Sequence, residues 1–370
     1  MTTGLYLSAT SPNSGKSLIA LGLADSLIKR ADRVGFFRPV FDGATIADDP
    51  VARLIREHFN LSEEQVGGAV SMNDALALIA EGDTEEISSR AVSAYEKVAA
   101  NSDVVIVDGA YLPANALAVE FDLNVQIARD LGLPVVAIVG AQEATVEEAV
   151  TAVDVARTEL TASKADLLAV IVNRAEPTLR EDIENSVKRG EANLPVYVLP
   201  EISELTAPTV GEVAEALKLD TAGVKAEDLS RDIHGIKVAA MTVSNFLGQF
   251  VDGDFVIVPG DRADIVAATL ASALAPSFPA PSGVLLTGGL DDVSGQHTAV
   301  GELIKNAPFP VLSTEHDTFK SARAVSRVHG SLESGHQRKL AAALGGWDEH
   351  VNKDELLSRL SIERPASMTP

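Results

Sequence analysis

Lys16 stands between Gly15 and Ser17 in the stretch SATSPNSGKS, residues 8–17, where an apolar run ends and a helical pattern begins. These residue types in this order suit phosphate binding. The first N–H groups of a helix lack intrahelical partners, and the helix dipole adds partial positive charge there. Gly15 lets the backbone approach a phosphate closely, Lys16 supplies a charge for terminal phosphates, and the Ser17 hydroxyl can ligate Mg²⁺. Thr10, Asn13 and Ser14 complete the candidate loop. Thr10 stands where such loops usually carry glycine, and a threonine narrows the backbone angles open to it. Pro12 stiffens the same stretch. The loop therefore predicts ATP or another nucleotide, held with Mg²⁺, as ligand; a loop kept only as a fold element is the alternative.

A metal-bound triphosphate also calls for an acidic residue at the end of a neighbouring strand. Asp108, closing VVIVD, fits, so Ser17 and Asp108 are the candidate metal ligands. A turn-capping aspartate before Gly109 is the competing role. Arg38 in FFRPV sits at a strand end and can pair an anion. Asn173 in VIVNR can read a base edge, or simply open a turn. No residue is assigned a catalytic role.

The elements that must position these residues alternate regularly. Strands are expected over 5–8, 34–40, 103–109, 133–141, 167–174 and 194–201, with helices over 16–30, 71–100 (broken at Gly82-Asp83) and 147–160. Apolar runs between helical stretches predict a doubly wound, mostly parallel α/β sheet. SELTAPTVGEV, residues 203–213, breaks the rhythm and marks a boundary. A smaller α/β alternation follows, with strands expected over 236–243, 254–260, 283–289 and 309–314. Helices are expected over 263–275 and 296–305, then a short helical tail and a Pro-rich end.

Composition narrows the roles. Of 370 residues 46% are hydrophobic and only 4% aromatic, so aliphatic side chains must fill the cores. The net charge of −23 repels phosphate backbones and anionic lipid, which argues against nucleic-acid and membrane partners. There is no cysteine, which removes disulfides, thiolate nucleophiles and thiolate zinc sites. The 7 histidines show no metal-ligand spacing. No apolar run is long enough for a membrane span, and the first ten residues predict no secretory leader, so a cytoplasmic location is expected.

The phosphate loop, GFFRPV (35–40), VVIVDGA (104–110), VIVNR (170–174) and LPVYVLPEISELTAPTVGEV (194–213) together resemble the N-terminal region of long-form bacterial phosphate acetyltransferases. That region is itself similar to dethiobiotin synthetase. The later block, with PTVGEV, GDRADI (260–265) and LLTGG (285–289), resembles the DRTGG domain of the same enzymes. The resemblance implies a P-loop domain over 1–205, a linker over 206–225, a DRTGG-type domain over 226–330, and a helical tail with linker over 331–370. It also implies a C-terminal catalytic domain as partner, which moves acetyl between coenzyme A and phosphate. This front half would then tune that domain in response to nucleotides, pyruvate or NADH, and build a homo-oligomer. Asp261, Arg262, Gly288 and Gly289 become a candidate effector site. Three departures stand out. DGAYLP replaces the Glu-Gly-Ala-Gly-Gly stretch of dethiobiotin synthetases, Arg38 replaces their lysine with a forked donor, and Ala263 replaces the threonine of DRTGG. A dethiobiotin synthetase-like ligase and a ligand-free scaffold are the competing readings.

Overall fold

The computed structural model describes residues 3–360 apart from 12, 114–115, 189–193, 276, 290–298, 329 and 333–335. The described residues fall into two units, 3–202 with 332–360, and 203–331.

In the first unit β1 (Thr3–Ala9), β2 (Val34–Phe41), β3 (Val66–Ser71), β4 (Val104–Asp108), β5 (Val135–Gly140), β6 (Leu167–Ala175) and β7 (Val196–Pro200) form one parallel sheet. Its order is β3-β2-β4-β1-β5-β6-β7. The connecting helices are α1 (Lys16–Ile28), α2 (Pro50–Phe59), α3 (Met72–Glu81), α4 (Thr84–Ala99), α5 (Leu117–Asp130), α6 (Val146–Ala162) and α7 (Arg180–Lys188). Strands β2 and β4 are buried along their whole length, as a sheet covered on both faces requires. The chain returns from β3 to insert β4 beside β1, and β5 then pairs on the other side of β1. That reversal places a crevice at the carboxyl ends of β1 and β4, where α/β sheets bind ligands. Leu7 of β1 lies opposite Asp108 of β4, so the loop after β1 and the aspartate ending β4 share that crevice.

The break at Gly82-Asp83 falls where expected: Gly82 ends α3 in the left-handed region and Asp83 caps α4. β3 carries no strand signal in VGGAVS because its glycines lower strand preference. Their role is steric. A Cβ on Gly67 would lie 2.5 Å from a Val98 methyl, and one on Gly68 2.6 Å from the Phe41 ring.

In the second unit β8 (Gly235–Val238), β9 (Asp254–Pro259), β10 (Gly283–Thr287) and β11 (Val311–Thr314) form a parallel sheet in the order β11-β10-β9-β8. Its helices are α8 (Ser203–Thr206), α9 (Val210–Ala216), α10 (Ala226–Leu229), α11 (Val243–Leu247), α12 (Ala263–Ala273), α13 (Ala299–Lys305) and α14 (Thr318–Val325).

Two expected boundaries change. Residues 206–225 are not a free linker. Thr209 and Glu212 form a capping box at the start of α9, and Val210 and Val213 pack in one core with Phe255, Ile257 and Leu285. Nor do residues 332–360 stand apart as a tail. They supply α15 (Gln337–His350) and α16 (Lys353–Ser358) to the first unit. Trp347 of α15 is fully buried, and its Nε1 donates to Ser26 Oγ of α1 at 2.9 Å. A Cβ on Gly22 would come within 2.2 Å of the indole. The Pro-rich end, 361–370, lies outside the described residues.

Trp347→Ala is therefore expected to cost the first unit about 3–5 kcal/mol, read from urea denaturation. Gly22→Ala should also destabilise, although alanine is the better helix former; an unchanged or raised midpoint would contradict this packing.

Candidate phosphate-binding site

The crevice is built on the turn from β1 into α1. Asn13 and Gly15 both take positive φ, 57° and 76°. Asparagine and glycine are the residues that tolerate that region. A Cβ on Gly15 would lie 2.2 Å from Asn173 Nδ2, so glycine is required for space as well as for angle. Asn173 Nδ2 donates to Ser14 O at 2.8 Å, and Arg174 donates to Asn13 O at 2.7 Å. Arg174 is anchored in turn by a forked pair with Glu201 at 2.8 and 3.0 Å. The loop's carbonyls are thus tied from behind, by the end of β6. Its amides are left over: among the described residues, the N–H groups of Ser14, Gly15, Lys16 and Ser17 have no acceptor. Four free donors at the head of a helix are what a phosphate needs.

Thr10 causes no distortion. Its N–H donates to Ile138 O at 2.9 Å and its hydroxyl reaches the same carbonyl at 3.3 Å, so it prolongs the pairing of β1 with β5. It needs no left-handed angle. Glycine at this position is dispensable in this loop.

Lys16 turns toward β4. Its Nζ donates to Gly109 O and lies 3.1 Å from Asp108 Oδ1. Burial pushes the lysine's pKa down, with Arg38 adding to the effect, while Asp108 opposes both. Arg38 places Nη1 at 2.8 Å from both carboxylate oxygens of Asp49 and Nε at 3.4 Å from Asp108 Oδ2. Burial works against the Arg38 charge, but Asp108 and Asp49 outweigh it and raise its pKa. Asp49 is wholly buried, and it also accepts from the N–H groups of Asp42, Val51 and Ala52 at 2.9–3.0 Å. Two cations and two anions therefore run in a chain from the head of α1 to the head of α2.

Arg38 is thus a link in this chain, matched by two carboxylates, rather than a free partner for an anion. Asn173 spends its amide on Ser14 and braces the loop. Asp108 keeps one oxygen, Oδ1, buried with only the Lys16 ammonium beside it, 3.1 Å away and off hydrogen-bond geometry. That oxygen, opened once Lys16 moves to a phosphate, fits with the Ser17 hydroxyl at the first turn of α1 the donor set a magnesium-bound polyphosphate requires. Among the described residues no cluster of three or more His, Cys, Asp or Glu could hold a metal by itself.

Three supporting residues were missed in the sequence. Asp49 is one, though its place before Pro50 is a helix-start pattern that could have revealed it. Asn124 of α5 accepts from Tyr6 Oη and from Ala110 N, both at 2.7 Å, and donates back to Ala110 O at 3.0 Å. Glu120 accepts from Leu112 N at 2.6 Å. These contacts fold the segment after Asp108 onto α5, with Ala110 and Leu112 buried.

In the second unit, Asp261 and Arg262 follow β9 while Gly288 and Gly289 follow β10, so all four gather at one carboxyl edge. Arg262 is spent on a forked pair with Asp264 at 2.8 and 2.9 Å, which holds that carboxyl down at about 2, and on Met241 O. Gly288 and Gly289, at φ 94° and 60°, donate to His316 O and Thr314 O.

The profile of a family described as an AAA domain matches residues 3–213, more than half of the chain. This chain belongs to that AAA-domain family. A DRTGG domain matches the AAA-domain chain further on, over residues 212–328. Among full-length relatives, a phosphate acetyltransferase of Nitratidesulfovibrio vulgaris is 33% identical across 100% of this chain and 53% of its own length. One from a Synechocystis species is 25% identical over the same shares. The AAA-domain chain thus spans about half the length of the curated relatives it matches. A solved Cyanothece McdA–ATP complex, 14% identical, covers 55% of this chain and 85% of its own, with a TM-score of 0.35. Among the described residues no helix is long and apolar enough to cross a membrane.

Asp108→Asn would leave Lys16 and Arg38 buried with too little negative charge, so a loss of about 3–5 kcal/mol is expected by chemical denaturation. A loss below about 1 kcal/mol would show that the charges are not coupled as described. Glu120 gives a pH test. Burial raises its pKa above the ordinary 4.5. Above that value the folded protein holds a proton the unfolded chain releases, so stability falls as pH rises from the unfolded pKa to the folded one. Glu120→Gln removes this cost. Its stability relative to wild type should be higher at pH 7 than at pH 4.

Proposed function

We propose that this chain is the N-terminal part of a phosphate acetyltransferase, and that it captures a magnesium-bound nucleotide to tune acetyl transfer by the catalytic part. The observation that carries this reading is the row of four amides, Ser14 to Ser17, without acceptors among the described residues, set beside the Lys16–Asp108 pair. Mg²⁺ would rest on Ser17 and Asp108, where it supplies charge neutralisation between the phosphates. The chain's own part begins at Lys16. To meet a phosphate its ammonium must leave Gly109 O and loosen from Asp108. Asp108 then turns further toward Arg38, and Arg38 loosens from Asp49, which caps α2. Occupancy at α1 is thereby passed to α2 through buried charges, where one missing partner is costly.

The match to phosphate acetyltransferases along the whole chain supports the enzyme context, which makes the protein a cytoplasmic homo-oligomer on this reading. A dethiobiotin synthetase-like ligase has less support. Ala110 and Leu112, at the start of the segment that would receive a second substrate, are buried against α5.

Calorimetric titration with Mg-ATP tests the binding. Wild type should give saturable heat, and Lys16→Ala should lose at least about tenfold in affinity, the scale of one charge-assisted contact. No heat with wild type, or equal heat with Lys16→Ala, would refute it. In the full-length enzyme, acetyl-transfer rates should respond to the same nucleotide only when residues 1–360 are present.

A further inference from the structure

Many arginines of the acidic chain are held by carboxylates. Arg30, Arg33, Arg90, Arg174 and Arg262 each meet a carboxylate within ion-pair distance. Like the exposed Arg129 and Arg323, Arg53 and Arg56 depart from this. Among the described residues no carboxylate or carbonyl pairs with either guanidinium. Asp48 lies close enough to feel Arg53, but its carboxylate is held by the N–H and hydroxyl of Thr45, both at 2.9 Å.

The two arginines stand three residues apart on α2, so they share a helix face. That face lines a cleft of about 230 Å³, whose other lining residues include Thr45, Ile46, Ala47, Glu63 and Val66. Both arginines are only partly exposed. In a molecule of net charge −23, two uncommitted guanidinium groups facing one small cleft are a local reversal of the field. Paired forks of N–H donors match the geometry of a carboxylate or phosphate group. Ile46, Ala52 and Val66 supply an apolar wall for the rest of a small molecule.

We infer that this cleft is a second anion site, which takes the carboxylate or phosphate end of a small metabolite on Arg53 and Arg56. It lies on the helix that Asp49 caps, so it joins the charge chain from Lys16 at its far end. The binding itself does not depend on a nucleotide at the phosphate loop.

The test is calorimetric titration of the purified chain with two probes, butyrate and inorganic phosphate. Saturable binding of at least one is expected, and the one that binds distinguishes carboxylate from phosphate. The double variant Arg53→Gln/Arg56→Gln should weaken it by about tenfold or more, while Lys16→Ala should leave it in place. Glu63→Gln, which removes the negative charge of the wall, should tighten it about threefold or more; this variant carries the test if the double variant does not fold. No saturable heat with either probe overturns the inference. So does butyrate binding that survives the double variant, phosphate binding that survives it when Lys16 is also alanine, or binding that is unmoved by Glu63→Gln. Binding lost in Lys16→Ala would put the anion at the phosphate loop and overturns it as well.

Discussion

Four charges with almost no access to water set the terms for the first unit. Lys16, Asp108, Arg38 and Asp49 come from α1, β4, β2 and the cap of α2, and no element contributes more than one of them. Taking a charge out of water costs several kcal/mol, and a partner repays it only at close range. The β1–β4 register, the insertion of β4 between β2 and β1, and the capping of α2 must therefore all be right together. On the proposed reading this chain of charges is also where an anion acts, because a phosphate would compete for Lys16 directly. Stability and the proposed response would then come from the same residues.

Around this chain the loop is stiffened on its carbonyl side and left open on its amide side. Asn173 and Arg174 hold Ser14 and Asn13 from the end of β6, and Glu201 holds Arg174. Asn124 and Glu120 draw the segment after Asp108 onto α5. A loop braced in this way would need little reorganisation of its backbone to take the proposed anion, and preorganisation of this kind lowers the entropic cost of binding.

Much of this was legible in the sequence, and the reasons for what was not are physical. The long apolar runs specified the parallel sheet because strands covered on both faces need unbroken apolar sequence. Gly15, Lys16, Ser17 and Asp108 were singled out because phosphate chemistry restricts residue type at fixed places, and the fold brings Lys16 and Asp108 together. Arg38 and Asn173 were seen, but their partners were not, since Asp49 and the Ser14 carbonyl meet them only through the tertiary fold. β3 was hidden because its glycines answer to crowding by Phe41 and Val98 rather than to strand preference. The helix at 337–350 reads correctly as helix, yet nothing local says that Trp347 seats against Gly22 some 320 residues earlier.

The central claim is that Lys16 leaves the Gly109 carbonyl and Asp108 for a phosphate. A crystal structure of the chain grown with Mg-ATP tests it most directly. The account predicts Lys16 Nζ on a phosphate oxygen, with the amides of residues 14–17 donating to the same group and Arg38 drawn closer to Asp108. Nucleotide bound elsewhere, with Lys16 still on Gly109 and Asp108, would contradict it.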